Sequence, residues 1–290
     1  MSKKIVIFLN GIRGIKVVKY LKKKNYIIDL AVVEKKEIIK ILKNRFLIKK
    51  IYFSKNINKN YKFLSNFKSS IFISAGFSQI FSKNIIKIPS FFLNLHAGRL
   101  PKYRGGSPLN WQIINNEKYY SISIIQVKNE IDSGGIYGEK KIKLKLNDDI
   151  ASVHKKVNLE FPKLLYAVLE KNIKKGGKFL KQNNHKAIYW HQRNDLDGYI
   201  DFKKKKAVEV YNFVRALSYP YKGAWALTDN FKKVRISKVK LQKYKIKGSP
   251  GHIFFLKKKG LNVVCKDYAI QILSYKFEEK KEDIKKRVFI

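Results

Sequence analysis

The chain has 290 residues, 45% of them hydrophobic, which suits one large domain or two ordinary ones and excludes a disordered chain. Its single cysteine, Cys265, excludes an intramolecular disulfide framework and a cysteine-rich zinc site, and no apolar run approaches the roughly 20 residues of a membrane span. The net charge is +43, from 64 basic and 21 acidic residues, but only eight are Arg and the lysines are spread along the whole chain. Abundant Lys, Ile and Asn with scarce Pro, Arg and Ala is the pattern of an AT-rich coding bias; a selected polyanion surface is the alternative, and either way the field favours an anionic small substrate.

Met1-Ser2-Lys3 runs straight into KIVIFLNG, too short for the apolar stretch of a signal peptide, so a soluble, cytoplasmic protein is expected. Residues 4–9 read as a buried parallel strand, 14–24 as a helix and 26–33 as a second buried strand, the start of an open α/β sheet. The turn Asn10-Gly11-Ile12-Arg13-Gly14 is only GxxG, an incomplete dinucleotide fingerprint, although Glu34 falls where a ribose-binding acid would. The preferred reading is a tight strand–helix turn whose glycines serve backbone geometry. A helix is expected near Glu37–Lys43 and a short strand at 51–53. SSIFISAGF at 69–77 is the next strand, ending in Ala75-Gly76 at a carboxyl end where ligands enter such sheets. After Pro89 comes the strand FFLNLH, then a loop set by Pro101 and Gly105-Gly106. Ser107 as N-cap and Pro108 at the first position start a helix over 109–116.

SISIIQV at 121–127 is a strand, and the alternation at Ile142, Leu144 and Leu146 suggests an antiparallel partner. Asn147-Asp148-Asp149 caps a long helix kinked at Pro162 and ended by Gly176-Gly177. Residues 177–205 lack periodicity. A helix at 207–217 precedes short strands at 223–227, 234–241, 251–256, 261–265 and 269–275, a pattern for a small barrel. EEKKEDIKKR at the end reads as a solvated tail or terminal helix.

Asn94 and His96 sit two apart on a strand, so their side chains share one face. Asp132 lies in a Gly-flanked loop beyond the 121–127 strand. Each alone has an ordinary structural reading, a satisfied histidine or a turn residue. Together at strand ends beside Gly- and Pro-defined loops, they could converge. No nucleophile is evident, since Cys265 lies in the other domain and no GxSxG elbow occurs; the five histidines show no metal-binding spacing. An Asn amide and a protonated His suit an oxyanion, and an Asp beside the His would orient it and favour its charged form. Such a set fits direct acyl transfer between two bound substrates.

NLHAGRLPKYRG, with the later Asp132-Ser133-Gly134, resembles the N10-formyltetrahydrofolate-dependent formyltransferase family, whose hallmark is Asn-x-His ahead of Leu-Pro-x-x-Arg-Gly with a later Asp-x-Gly. DGYIDF at 197–202, VRALSYPYKGAWA at 214–226 and the late strands resemble the small barrel of longer members. The resemblance implies a Rossmann-like open-sheet catalytic domain over 1–185, a linker over 186–205 and an OB-like β-barrel over 206–290. It implies Asn94, His96 and Asp132 as catalytic residues. The formyl donor would lie against Ser78, Gln79 and Ile80 on one side and Lys128, Asn129, Glu130 and Ile131 on the other, with Tyr103 and Arg104 as candidates in a substrate loop and no metal. Arg99 departs from the family, which often has an apolar residue there.

Methionyl-tRNA formyltransferases carry a basic, Gly-containing insertion after the second strand. EKKEIIKILKNRFLIKK at 34–50 is basic but helical in pattern and has no glycine. GGSPLNWQIINNE at 105–117 looks more like members that formylate amino sugars on a nucleotide, as in lipopolysaccharide O-antigen biosynthesis. The expected acceptor is therefore a nucleotide-linked amino sugar, such as a dTDP-4-amino-4,6-dideoxy sugar, in a homodimeric enzyme. Methionyl-tRNA is the rival acceptor, favoured by the charge. A non-catalytic RNA-binding protein is the rival from another class, though no RNP-type motif accompanies its aromatics.

Overall fold

The first apolar run forms β1 (Lys4–Leu9), buried from Ile5 to Leu9, in the computed structural model, which describes residues 4–257, 260–279 and 283–290. The amphipathic stretch after it is α1 (Gly11–Lys23), which buries Val17, Val18 and Leu21. Next come β2 (Ile27–Val33), α2 (Lys36–Phe46), β3 (Ile51–Phe53), α3 (Tyr61–Ser65), β4 (Ile71–Ala75), α4 (Lys83–Ile86), β5 (Phe92–His96) and β6 (Arg104–Gly105). They are followed by α5 (Pro108–Ile114), β7 (Tyr119–Gln126), β8 (Ile136–Lys143), α6 (Ile150–Lys171), β9 (Tyr189–Trp190) and α7 (Ala207–Leu217). The last elements are β10 (Ala224–Leu227), β11 (Lys233–Leu241), β12 (Ile253–Leu256), β13 (Gly260–Val264) and β14 (Ala269–Phe277). The fold is α/β with a separate C-terminal antiparallel sheet. Met1-Ser2-Lys3 lies outside the described residues, among which no helix is long and apolar enough to cross a membrane.

The chain forms two compact units. The first holds residues up to Gly105 with Tyr120–Ile142 and Lys155–Tyr189; the second holds Gly106–Tyr119, Lys143–His154 and Trp190–Ile290. The boundaries expected from sequence are contiguous, whereas these units interleave. The second unit draws in α5 because Asn110 Nδ2 donates to the Ala216 carbonyl at 2.8 Å. It draws in the turn before α6 because the Arg215 guanidinium donates to the carbonyls of Lys145, Leu146 and Asp148.

In the first unit a seven-stranded sheet runs β3-β2-β1-β4-β5-β7-β8. β1 to β5 are parallel neighbours, and β7 lies antiparallel to β5. The chain winds outward from β1 to β3 and returns to β4 on the other side of β1. In open sheets of this kind ligands bind outside the carboxyl ends of the strands at such a reversal, here β1 and β4. Glu34 ties the surrounding loops together. Its N–H donates to Asn10 Oδ1 at 3.3 Å, and its carboxylate accepts from the Ser78 N–H at 3.1 Å and hydroxyl at 2.7 Å. The acid placed like a ribose ligand is thus engaged by Ser78. Gly14 serves packing: a Cβ there would lie 2.4 Å from Leu9 Cβ and 3.2 Å from the Ala75 carbonyl oxygen.

Phe8 anchors one face of the sheet, its ring centroid 4.9 Å from Phe81, 5.5 Å from Phe92 and 5.6 Å from Phe72. Each fully buried side chain of this kind contributes about 1.5–3 kcal/mol. The strand after the 130–135 loop is β8 over 136–143, earlier than the alternation at 142–146 implies. As an outer strand with Glu139, Lys140 and Lys141 exposed, it carries little hydrophobic signal. Pro162 lies inside a helix that runs unbroken from Ile150 to Lys171. Asp149 Oδ1 caps that helix, accepting from the Ser152 N–H at 2.8 Å. Ser107 does not cap α5 with its side chain; it stands at φ +48°, and its hydroxyl oxygen accepts from the Arg193 N–H at 3.1 Å.

In the second unit α7 packs Val210, Phe213, Val214 and Leu217 with Ala224, Ala226, Val234, Ile236, Val263 and Ile270 of a sheet ordered β10-β11-β14-β13-β12. The end of the chain is not a solvated tail, and its helix is one short 3-10 turn, Ile284–Lys286. Residues 280–282 lie outside the described residues, but Ile284 and Phe289 are buried in this core. Phe289 bridges to Thr228 after β10 and Val288 to His252 before β12, so the terminal residues tie the two outer strands of the sheet to each other.

Candidate active site

β5 ends at His96, and its alternation puts Leu93 and Leu95 on one face and Asn94 and His96 on the other. In register with β7, Asn94 stands opposite Ile125 and His96 opposite Ser123. Asp132 follows in the loop between β7 and β8, held at φ +50° in the left-handed region. The next residue but one must be small: a Cβ on Gly134 would lie 1.9 Å from the Gln126 carbonyl oxygen.

The three groups do converge. Asn94 Nδ2 donates to Asp132 Oδ1 at 3.3 Å, and His96 Nδ1 stands 3.3 Å from Asp132 Oδ2. The Gly105 N–H also donates to Oδ2, at 3.0 Å. On its far side His96 Nε2 lies 2.6 Å from the Tyr103 carbonyl oxygen. The side chains of His96 and Asp132 are only 5% and 11% exposed. Both imidazole nitrogens therefore face oxygens that only accept. A doubly protonated ring satisfies both; a neutral ring satisfies one. The site thus presents an amide N–H and an imidazole N–H as donors, and one carboxylate as acceptor.

The other residues singled out from sequence fall into three groups. Ser78 and Gln79 brace the loop after β4. Ser78 is bound to Glu34, while Gln79 Oε1 accepts from the Ile57 N–H at 2.6 Å and its Nε2 donates to the Ser54 carbonyl at 3.0 Å. Ile80 extends its side chain to solvent. Lys128, Asn129 and Glu130, with Ser133, form one wall of an open cleft of about 280 Å³ whose other wall is Lys83, Ile86 and Lys87; Ile131 is exposed nearby in sequence. Tyr103 and Arg104 are buried rather than presented to solvent. Arg104 is 1% exposed, its guanidinium held by Gln182, Asn184 and Tyr189. Those three partners come from the aperiodic stretch 177–205, where nothing in the spacing marks them. Cys265 lies in the second unit, its thiol pushed up to about 12, first by burial and then by Asp267. Among the described residues no group of three or more His, Cys, Asp or Glu could hold a metal ion.

Residues 16–169 match the profile of the formyl transferase family, and residues 194–286 match that of the formyl transferase C-terminal domain. The chain belongs to the formyl transferase family. The chain is 35% identical over 234 residues to the bifunctional polymyxin resistance protein ArnA of Wigglesworthia glossinidia brevipalpis, with 79% of the chain and 35% of ArnA aligned. It is 31% identical over 210 residues to the methionyl-tRNA formyltransferase of Malacoplasma penetrans, with 72% and 65% aligned. The chain thus spans about a third of the one relative and just under two thirds of the other. Among solved structures it resembles WlaRD, a sugar 3N-formyl transferase solved with dTDP and 5-N-formyl-THF, at 21% identity. That TM-score is 0.73, with 97% of this chain and 99% of WlaRD covered, a likeness of fold.

Proposed function

We propose that the chain transfers the formyl group of N10-formyltetrahydrofolate to the amine of a nucleotide-linked amino sugar, with Asn94, His96 and Asp132 as the catalytic residues. The observation that carries the choice of acceptor is the connection from β2 to β3. It is occupied by one helix, α2, with no glycine between residues 34 and 50, where tRNA-type members carry a glycine-containing insertion. The end-to-end match to WlaRD supports the same reading. The methionyl-tRNA reading is favoured by the name of the Malacoplasma relative.

In this reading the loop at Ser78–Ile80 and the cleft walled by Lys128–Glu130 take the folate. The sugar amine attacks the formyl carbon, a C–N bond forms, and the carbonyl oxygen becomes an oxyanion. Asn94 has two amide hydrogens; one is held by Asp132, which leaves the other for the oxyanion. His96 exchanges the Tyr103 carbonyl for the oxyanion, a favourable exchange because hydrogen bonds to charged oxygen are about twice as strong as neutral ones. Asp132 keeps the ring oriented and assists removal of the amine proton. As the intermediate collapses, the bond to N10 of the folate breaks and N10 takes up a proton.

Calorimetric titration in the presence of 5-formyltetrahydrofolate tests the acceptor class. Binding of dTDP is expected to persist at 0.3 M salt, whereas binding of initiator tRNA should collapse as its phosphate contacts are screened. Salt-resistant tRNA binding with no heat from dTDP would favour the methionyl-tRNA reading instead.

A further inference from the structure

We infer that Gln182 is a positioning residue for Asp132 and that Arg104 fixes Gln182 for that role; the inference rests on Asp132 serving formyl transfer as proposed above. Asp132 stands at φ +50°, in the left-handed region that few residues with a side chain adopt. Its carboxylate must nevertheless meet Asn94, His96 and the Gly105 N–H together. The neighbouring Ser133 does not supply the restraint, since its N–H and hydroxyl both reach back to the Glu130 carbonyl. Gln182 does. Its Nε2 donates to the carbonyl of Asp132 at 2.8 Å and to that of Gly134 at 2.7 Å. The same side chain's Oε1 accepts from Arg104 Nε at 3.1 Å and from a terminal guanidinium nitrogen at 2.9 Å.

A primary amide has two N–H donors and two acceptor lone pairs. At Gln182 all four are used, which decides the way the amide faces. Turned over, it would set its NH2 against a guanidinium and its oxygen against two carbonyl oxygens. Arg104 is fixed in its turn by Asn184 Oδ1 at 2.7 Å and the Tyr189 hydroxyl at 2.8 Å, with the Tyr189 ring 5.4 Å from the guanidinium carbon. Gln182 is 8% exposed and Arg104 1%, so little water is at hand to replace either. Gly105, the residue after Arg104, supplies the N–H on Asp132 Oδ2. One connected set of groups therefore holds Asp132 at its carboxylate and at its backbone. Gln182 touches none of the reacting atoms and acts through Asp132.

Two substitutions in the whole chain separate positioning from stability. Gln182→Met keeps the volume and removes both donors; Gln182→Glu keeps an acceptor for Arg104 but faces the two carbonyls with a second oxygen. Rates are read with N10-formyltetrahydrofolate on whichever of a dTDP-linked 4-amino sugar and methionyl-tRNA the wild-type enzyme formylates. A wrong choice of acceptor thus shows in the wild type and leaves the variant ratio intact. Both variants are expected to lose about 10–100-fold in kcat, with KM for donor and acceptor within about threefold and Tm lowered by only a few degrees. A kcat within twofold of wild type in either variant would overturn the inference. So would a loss that vanishes once rates are divided by the fraction folded.

Discussion

Asp132 is the residue on which the site turns. Three donors converge on its carboxylate, the Asn94 amide, the His96 ring and the Gly105 N–H, so a shift of the 130–135 loop would unseat all of them. The oxyanion role proposed for Asn94 and His96 gives a direct expectation at this scale. Asn94→Ala and His96→Ala should each lower kcat by roughly 10²–10³, with far-UV circular dichroism and Tm close to wild type; near-normal rates from both would remove them from the chemistry. Asn94 and His96 were legible in the sequence because a two-residue spacing on a strand fixes their shared face. Gln182 was not. Its four hydrogen bonds exist only once residues 104, 132 and 134 are brought to it by tertiary structure.

At the scale of elements, the sheet of the second unit depends on the last residues of the chain. Phe289 is 1% exposed and stacks on Phe202 with ring centroids 5.2 Å apart. Phe289→Ala is expected to cost about 3–5 kcal/mol by urea denaturation; a cost below 1 kcal/mol would mean the terminal segment does not hold the outer strands. The charged run EEKKEDIKKR hid this role, because the pairing residues Val288 and Phe289 follow it and, among the residues described after 279, only Ile284 and Phe289 are buried, too few for an amphipathic period. β8 was obscured for a related reason, being largely solvent-facing.

The turn at Asp195 is a second fastening within the same unit. Arg235 forms a two-pronged pair with Asp195, both oxygens at 2.6 Å, and this pairing holds the Asp195 carboxyl well below the usual carboxylate range. A depressed value stabilises the fold above the ordinary carboxylate pKa of about 4 and loses that stabilisation as pH falls through the folded value. Asp195→Asn should therefore melt a few degrees below wild type at pH 7, and the gap should close progressively below about pH 4. An equal gap at both extremes would assign the effect to packing instead.

For the whole molecule the open term is the charge of +43. The strand–helix order and the late run of short strands made the two architectures readable from hydrophobic pattern alone. The interleaving of the two units was not readable, because it depends on single contacts such as Asn110 to Ala216. Charge of this size raises encounter rates with any polyanion, so it speaks to association more than to the choice of acceptor. The proposed choice of a nucleotide-linked amino sugar rests on the single helix between β2 and β3. The most direct measurement is turnover of N10-formyltetrahydrofolate by the purified chain with a panel of dTDP-linked sugars bearing an amine at C3 or C4, alongside methionyl-tRNA. The expected result is an N-formylated sugar with at least one panel member, formed about 10²–10³-fold more slowly by Asn94→Ala, and no product from methionyl-tRNA; formyl-methionyl-tRNA as the sole product would overturn the proposed acceptor.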